Sequence, residues 1–228
     1  MDKQGILYIV ATPIGNLEDV TLRALRVLRE VDLILCEDTR VTKKLLSHYD
    51  IKTRTDSYHA QSKTSKIKKI INLLMEEKNI ALVSDSGTPT ISDPGVQLVN
   101  QVRGVGVRVE VIPGPSALIA ALSISGIPSS DFLFLGFLPH KKGRETLFKE
   151  ITNSKRTVVF YESPHRLLKT LDSLKEKLVP KRKVVIAKEL TKIYEEIFSG
   201  TAKEAFNYFE EYKDKVRGEF VVIVEGAM

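Results

Sequence analysis

The sequence predicts an α/β protein of two domains, with a mainly parallel sheet in the first half and a mixed sheet in the second. Short β-branched runs alternate with amphipathic helical patterns along the chain, and this alternation is typical of parallel sheets. Polar turns rich in glycine and proline follow several of the strand candidates. We expect the last two strand candidates to add to the second sheet in antiparallel orientation, which makes that sheet mixed.

Length and composition are those of an ordinary globular protein. The 228 residues, 43% hydrophobic and 28% charged, are enough for two cores, and we expect the domains at 1–114 and 115–228. No apolar run reaches the roughly 18 residues of a membrane span, and a signal pattern is absent, so we expect a soluble, cytoplasmic protein. The single cysteine, Cys36, excludes an internal disulfide. The net charge of +6 permits an anionic partner such as nucleic acid.

The elements of the first domain follow from the spacing of apolar residues. Runs of four to six apolar residues indicate strands, and apolar residues three or four apart indicate helices. In chain order we expect a strand at 6–11, a helix at 19–30, a strand at 31–36, a helix through Leu45 and Leu46, a helix at 65–77, a strand at 80–83, a helix at 96–103 and a strand at 108–112. The polar, basic stretch at 50–69 is either a mobile basic loop or a solvated linker leading into a helix.

The second domain repeats this alternation before it ends in two further strands. We expect, in order, a helix at 117–124, a strand at 132–135, a helix at 145–151, a strand at 157–161, a helix at 164–178, strands at 184–187 and 194–199, a helix at 201–212 and a strand at 219–225. Pro164 suits the first turn of its helix.

The loop at 84–95 is the most informative stretch. It follows the buried strand at 80–83 and holds two prolines and two glycines between Gly87 and Gly95, which restrict its backbone. Ligands of open α/β sheets bind outside the carboxyl ends of the strands, where Asp85 and Thr88 would lie. Turn capping by Asp85 and Asp93 is the simpler alternative.

Polar residues also follow other strand candidates, at 12–16, 37–40, 162–166 and 188–189. Loops of this kind from two domains would enclose a ligand cleft between them. The sequence lacks the fingerprints GxxxxGK[ST], GxGxxG, HExxH and GxSxG. Its four histidines are scattered, so we expect no metal site.

Five of these stretches, in the same order, resemble signatures of the tetrapyrrole methylase superfamily, and within it the branch that methylates ribosomal RNA. They are 12–17, 37–40, 84–95, 113–117 and 161–166, and the similarity extends over 7–226. The resemblance implies a two-domain methylase fold, S-adenosylmethionine as the cofactor, and methylation of the ribose 2′-oxygen of a cytidine in the decoding region of 16S rRNA, with the small ribosomal subunit as the partner. It also implies a homodimer.

The resemblance implies a set of site residues as well. The cofactor would lie among Pro13, Asp85, Gly87, Thr88, Ser116, Ala117, Leu167 and Leu190. A ribose hydroxyl is a poor nucleophile that a base would assist, and our hypothesis for the catalytic edge is Glu37, Asp38, Arg40 and Glu162. His165 and Glu189 are further candidates for the base, and Arg40, Arg166 and Lys188 are candidates for phosphate contacts.

Two alternatives stay open. The same fold and cofactor could serve a corrin precursor or a modified histidine as the acceptor, or the chain could be a non-catalytic RNA-binding assembly factor. Basic residues at 54–69 and at Lys141, Lys142 and Arg144 favour a polyanion.

Overall fold

The computed structural model describes residues 4–59, 62 and 64–227. Its contacts divide the chain into two compact units, Met1–Ser116 and Ala117–Met228. No helix among the described residues is long and apolar enough to cross a bilayer.

The first unit is built on a five-stranded sheet. Its strands are β1 (Ile6–Val10), β2 (Leu33–Cys36), β3 (Thr55–Ser57), β4 (Ile80–Val83) and β5 (Arg108–Ile112), in the order β3-β2-β4-β1-β5. All neighbouring strands are parallel, so their carboxyl ends share one side of the sheet, which we call the carboxyl edge. The prediction of a parallel first sheet is confirmed.

Helices cover both faces of this sheet because its strands are apolar on both sides. The helices are α1 (Leu22–Glu30), α2 (Thr39–His48), α3 (Thr64–Met75) and α4 (Val96–Gly104). Residues of α1 and α2 pack with Val10, Cys36 and Val83 in one core. Residues of α3 and α4 pack with Leu7 and Leu82 in another. Cys36 is fully buried in the first of these cores.

The second unit has a mixed sheet, as predicted. Its strands are β6 (Phe132–Phe137), β7 (Thr157–Glu162), β8 (Lys183–Lys188), β9 (Glu196–Thr201) and β10 (Phe220–Val224), in the order β6-β7-β10-β8-β9. Only β6 and β7 are parallel among these pairs. The helices are α5 (Ala117–Ser125), α6 (Arg144–Asn153), α7 (Pro164–Lys177) and α8 (Ala202–Glu211). Helices α6, α7 and α8 cover one face, and α5 lies against β8 and β10 on the same sheet.

Two elements differ from the sequence-based expectations. Strand β3 pairs with β2 inside the stretch interpreted as a loop or linker. The first helix starts at Leu22 instead of Asp19, because Asn16 caps a separate 3-10 turn and the Thr21 hydroxyl caps α1. The last strand, β10, is antiparallel to its neighbours as expected, and it lies between β7 and β8, where all five of its residues are buried.

Candidate active site

The loops after β1 and β4 are joined at the carboxyl edge by a short antiparallel bridge. Thr12 donates its amide to the Gly87 carbonyl at 2.9 Å, and Gly87 donates back to the Thr12 carbonyl at 3.1 Å. The Thr12 hydroxyl also donates to the Ser84 carbonyl at 2.9 Å. Thr12 was not among the predicted site residues, although its place directly after an apolar strand is the same signal that marked Asp85.

Gly87 adopts a left-handed backbone conformation, which residues with a side chain rarely adopt. Its φ is +80°, and a Cβ there would lie 3.3 Å from Cγ2 of Ile14. The next residue, Thr88, donates its hydroxyl to the Pro115 carbonyl at 3.2 Å, which ties this loop to the segment after β5 that ends in Ser116. The structure thus gathers Gly87 and Thr88 beside the loop that contains the buried Pro13.

Asp85 links the ends of β4 and β2. Its carboxylate accepts a hydrogen bond from the Asp38 amide at 3.0 Å. Asp38 in turn caps α2, because its side chain accepts from the Arg40 amide at 2.8 Å. The predicted residues Asp38, Arg40 and Asp85 therefore share one hydrogen-bonded end of the sheet.

Three carboxyl groups crowd this edge. Burial raises the pKa of Glu37, and the nearby Asp85 and Asp93 raise it further, while His59 opposes them. Burial and Asp85 also raise the pKa of Asp93, against the effect of its hydrogen bond from the Ser84 hydroxyl. Ionisation of all these carboxyl groups at once is therefore unfavourable, and a cation bound at the edge would reduce the repulsion among them.

Asp38 behaves in the opposite way. The hydrogen bonds from the Arg40 side chain and amide lower the pKa of Asp38 to about 2. The ion pair is exposed, with 87% of the Arg40 side chain accessible to solvent. Asp38 is a weak proton acceptor near neutral pH, and Arg40 remains open to an anionic partner.

In the second unit, Glu162 is the centre of a buried ionic network. Its carboxylate accepts from the Thr170 hydroxyl at 2.6 Å and from the Ser163 amide at 2.8 Å. The guanidinium groups of Arg166 and Arg144 lie at 2.8 and 3.6 Å. The exposed fraction of the Glu162 side chain is 0%, so its oxygens are committed to these partners.

The two arginines extend this network to the chain between β6 and α6. Arg166 donates to the Leu138 carbonyl at 2.6 Å, and Arg144 donates to the Pro139 carbonyl at 3.1 Å. The expectations that Arg144 belongs to a basic surface and that Arg166 is free for phosphates are wrong, because both guanidinium groups are largely buried against Glu162. Lys188 is also largely buried, 3.9 Å from a Glu196 oxygen.

Leu167 and Leu190 have their side chains in the interior of the second unit, with 0% and 7% exposure. Only their backbone atoms are suited to contact a ligand. The loop that carries Leu190 is held in place, because Glu189 accepts from the Glu219 amide at 2.9 Å and from Lys192 Nζ at 2.8 Å. Ala117 is the first residue of α5. Among the described residues no group of three or more potential metal ligands is assembled.

Comparison with known proteins bears on this site. The profile of the family described as "Tetrapyrrole (Corrin/Porphyrin) Methylases" matches residues 6–205. The "Ribosomal RNA small subunit methyltransferase I" of Thermotoga maritima is 50% identical over 222 residues, which are 97% of this chain and 99% of that protein. The chain belongs to this branch of the tetrapyrrole methylase family. The family membership predicted from the five motifs is confirmed.

A second relative and two solved structures support the same family assignment and fold. The protein of the same name from Halalkalibacterium halodurans is 51% identical over 99% of this chain and 77% of its own length. Two solved structures share the fold of this tetrapyrrole methylase. The methyltransferase CobJ has a TM-score of 0.71 at 19% identity, covering 98% of this chain and 95% of its own. A cobalt precorrin-4 methyltransferase has a TM-score of 0.72 at 17% identity, covering 96% and 94%.

Proposed function

We propose that this chain is a methyltransferase that modifies ribosomal RNA of the small subunit. The finer proposal is that it uses S-adenosylmethionine to methylate the ribose 2′-oxygen of a cytidine in the decoding region of 16S rRNA. The observation that carries the proposal is the identity of half the residues with the Thermotoga maritima rRNA methyltransferase, over 99% of that protein. The matched region covers 97% of this chain, so it includes the loops that carry the proposed site residues.

The residues at the carboxyl edge suit the proposed cofactor. S-adenosylmethionine is a sulfonium cation, and the crowded carboxyl groups of Glu37, Asp85 and Asp93 favour a positive charge. Backbone groups near Gly87 and Thr88 are held by hydrogen bonds, so they require little reorganisation to bind adenosine or amino-acid atoms. In this proposal Pro13, Ser116, Ala117, Leu167 and Leu190 complete the binding site, and the cofactor supplies an electrophilic methyl group.

Among the acidic residues, Glu37 is our choice for the general base. Its raised pKa brings it nearer to neutral pH, where proton transfer from a hydroxyl is most effective. Asp38 is held ionised by Arg40, and in this scheme the pair orients the RNA through the exposed guanidinium. Glu162 would act by holding Arg144 and Arg166, because its own oxygens are already engaged.

Methyl transfer is tested with radiolabelled S-adenosylmethionine and two acceptors, small ribosomal subunits and free 16S rRNA, both lacking the modification. We expect label on one ribose, located by nuclease mapping. Uroporphyrinogen III serves as the acceptor for the alternative function. Label on the tetrapyrrole, or none on RNA from an enzyme that binds the cofactor, would refute the proposed function.

The role of Glu37 is tested by Glu37→Gln, with the exposed Glu76→Gln as the control. Loss of a general base lowers the rate by about 10² to 10⁴, so we expect such a fall in kcat for Glu37→Gln and none for the control. A Glu37→Gln enzyme with the wild-type kcat at saturating cofactor and RNA would exclude Glu37 as the base.

We extend the proposal to the assembly and place of action. By family resemblance, the protein would be a cytoplasmic homodimer that acts on rRNA. Light scattering of the purified protein tests whether it is a dimer.

A further inference from the structure

Two helices of the first unit, α2 and α3, each carry three cations and no acidic residue. The chain has 35 basic and 29 acidic residues, a formal net charge of +6. Helix α2 carries Arg40, Lys43 and Lys44, α3 carries Lys66, Lys68 and Lys69, and neither helix contains an acidic residue. Without these six cations, 29 basic residues balance 29 acidic ones. The six cations of α2 and α3 therefore equal in number the net excess of the chain.

These two helices lie on opposite faces of the first sheet. Leu45 and Leu46 of α2 pack in one core, and Ile67 and Ile70 of α3 pack in the other. Helix α2 begins three residues after β2 ends, at the carboxyl edge. The first turn of α3 lies at the end of β3, because Lys66 Nζ is 3.0 Å from Oδ1 of Asp56. The first two turns of each helix thus flank the carboxyl edge from either side.

Most of these cations are turned to water. The side chains of Lys43, Lys44, Lys68 and Lys69 are exposed, and within the described chain Lys43, Lys44 and Lys68 form no salt bridge. Basic residues on other helices are often paired along the helix, as in Arg26 with Glu30 and Lys175 with Asp172. The exposed sides of α2 and α3 therefore differ from a helix surface on which basic residues pair with acidic ones.

Aromatic stacking contributes little to this surface. Tyr58, which precedes α3 in the basic stretch at 50–69, is 4% exposed and packs in the core. His59 is exposed and lies close enough to Glu37 to affect its pKa. Lys63, from the same basic stretch, lies outside the described residues. The recognition available here is electrostatic, which suits phosphates more than bases.

We infer that Lys43 and Lys44 of α2 and Lys68 of α3 bind the phosphates of single-stranded RNA on either side of the target nucleotide. The inference rests on the proposed function and deepens it, because it assigns the RNA path to two helices of the first unit. Positive surfaces that follow the backbone are typical of proteins that bind single strands. With cations on both flanks and carboxyl groups between them, phosphates are attracted to the flanks and repelled from the edge where Glu37 lies.

The test compares two triple variants that remove equal charge. The first is Lys43→Gln with Lys44→Gln and Lys68→Gln. The matched control replaces three exposed cations on other helices, as Arg103→Gln with Lys149→Gln and Lys203→Gln. Binding of a fluorescein-labelled single-stranded RNA with the decoding-region sequence is followed by anisotropy at several salt concentrations. Calorimetric binding of S-adenosylmethionine shows that each variant is folded and retains its cofactor site.

Three lost phosphate contacts should make the slope of log K against log salt shallower by about 2, at roughly 0.7 for each contact with a single strand. We expect this for the α2 and α3 variant, with a raised KM for RNA and an unchanged kcat at saturating RNA. The control should keep the wild-type slope. Equal slopes for wild type and the α2 and α3 variant, or an equal loss in the control, would overturn the inference.

Two other outcomes separate this inference from the proposed function. If the wild type methylates RNA while the α2 and α3 variant binds it equally well, the inference fails and the function stands. If the wild type binds the cofactor but methylates no RNA, the function fails and the inference falls with it. Stronger binding to phosphatidylglycerol vesicles than to RNA would also overturn the inference, by assigning the surface to a membrane.

Discussion

Replacing Glu162 tests whether the buried network of the second unit depends on its single acid. In Glu162→Ala, the guanidinium groups of Arg144 and Arg166, which are 8% and 15% exposed, would lose their carboxylate. Removing one partner of a buried ion pair destabilises proteins by about 3 to 5 kcal/mol, since the remaining charge is left uncompensated. The Thr170 hydroxyl and the Ser163 amide would lose their acceptor as well. We therefore expect a value in the upper half of that range.

Two milder changes separate charge from shape. Glu162→Gln keeps the size of the side chain and part of its hydrogen bonding, so we expect roughly half the loss of Glu162→Ala. Thr170→Val removes two hydrogen bonds to charged groups, the one that the hydroxyl donates to Glu162 and the one that it accepts from Arg144 at 2.7 Å, and each is worth about 1.5 to 3 kcal/mol. The exposed Glu145 on α6, which pairs with Lys177 at 3.0 Å, provides the control, because Glu145→Gln should change stability by less than about 0.5 kcal/mol.

The assay is urea unfolding followed by circular dichroism, with the slope m compared among variants. Methylation kinetics on RNA supply a second measurement. If Glu162 holds the arginines and the chain at 138–144, Glu162→Gln should retain more methylation activity than Glu162→Ala. Activity and stability should then fall together across the variants. A loss below about 1 kcal/mol for Glu162→Ala, or an inactive Glu162→Gln of wild-type stability, would refute the holding role.

Two further predictions concern the carboxyl edge. Gly87→Ala forces a Cβ into a backbone with φ of +80° near Ile14, and we expect a loss of about 1 to 2 kcal/mol in urea unfolding together with weaker cofactor binding; unchanged stability would contradict it. The raised pKa of Glu37 means that the folded chain holds this proton more tightly than the unfolded chain, so its contribution to stability falls as pH rises above the ordinary value of 4.5. Glu37→Gln should therefore be more stable than wild type at pH 7, and the difference should vanish as pH falls below 4.5. A Glu37→Gln variant less stable than wild type at pH 7 would contradict the predicted direction of this effect.

Local patterns predicted the strands with clear ends. The strands at 80–83 and 108–112 have the predicted bounds, because each is an apolar or β-branched run with turn residues beside it. Strand β3 is three polar residues, Thr55–Ser57, at the edge of the sheet. Its stability comes from pairing with β2, which no local pattern reports.

The Glu162 network shows why partners in a site are harder to predict than elements. Glu162 was singled out by its place after a strand, but Thr170 stands in a helix among leucines, and Arg144 precedes both by 18 residues or more. A charged residue on a helix is usually exposed, so the sequence favoured a surface role for Arg144. Burial reverses that expectation, because the Glu162 carboxylate, the Pro139 carbonyl and the Thr170 hydroxyl become available to Arg144 only through the fold.

The carboxyl edge departs from what stability alone would favour. Asp85 raises the pKa of both Glu37 and Asp93, and Asp93 raises the pKa of Glu37, although a neutral amide at one of these positions would relieve the repulsion. Proteins tolerate local destabilisation mainly where function requires it. A bound sulfonium would remove the same repulsion, so the energy lost in the free protein is recovered in part on binding. The excess cations of α2 and α3 do not neutralise this edge, because they lie on its flanks and point to water. That separation of charge is what a site needs if it is to attract an RNA backbone and still keep a negative centre for the cofactor.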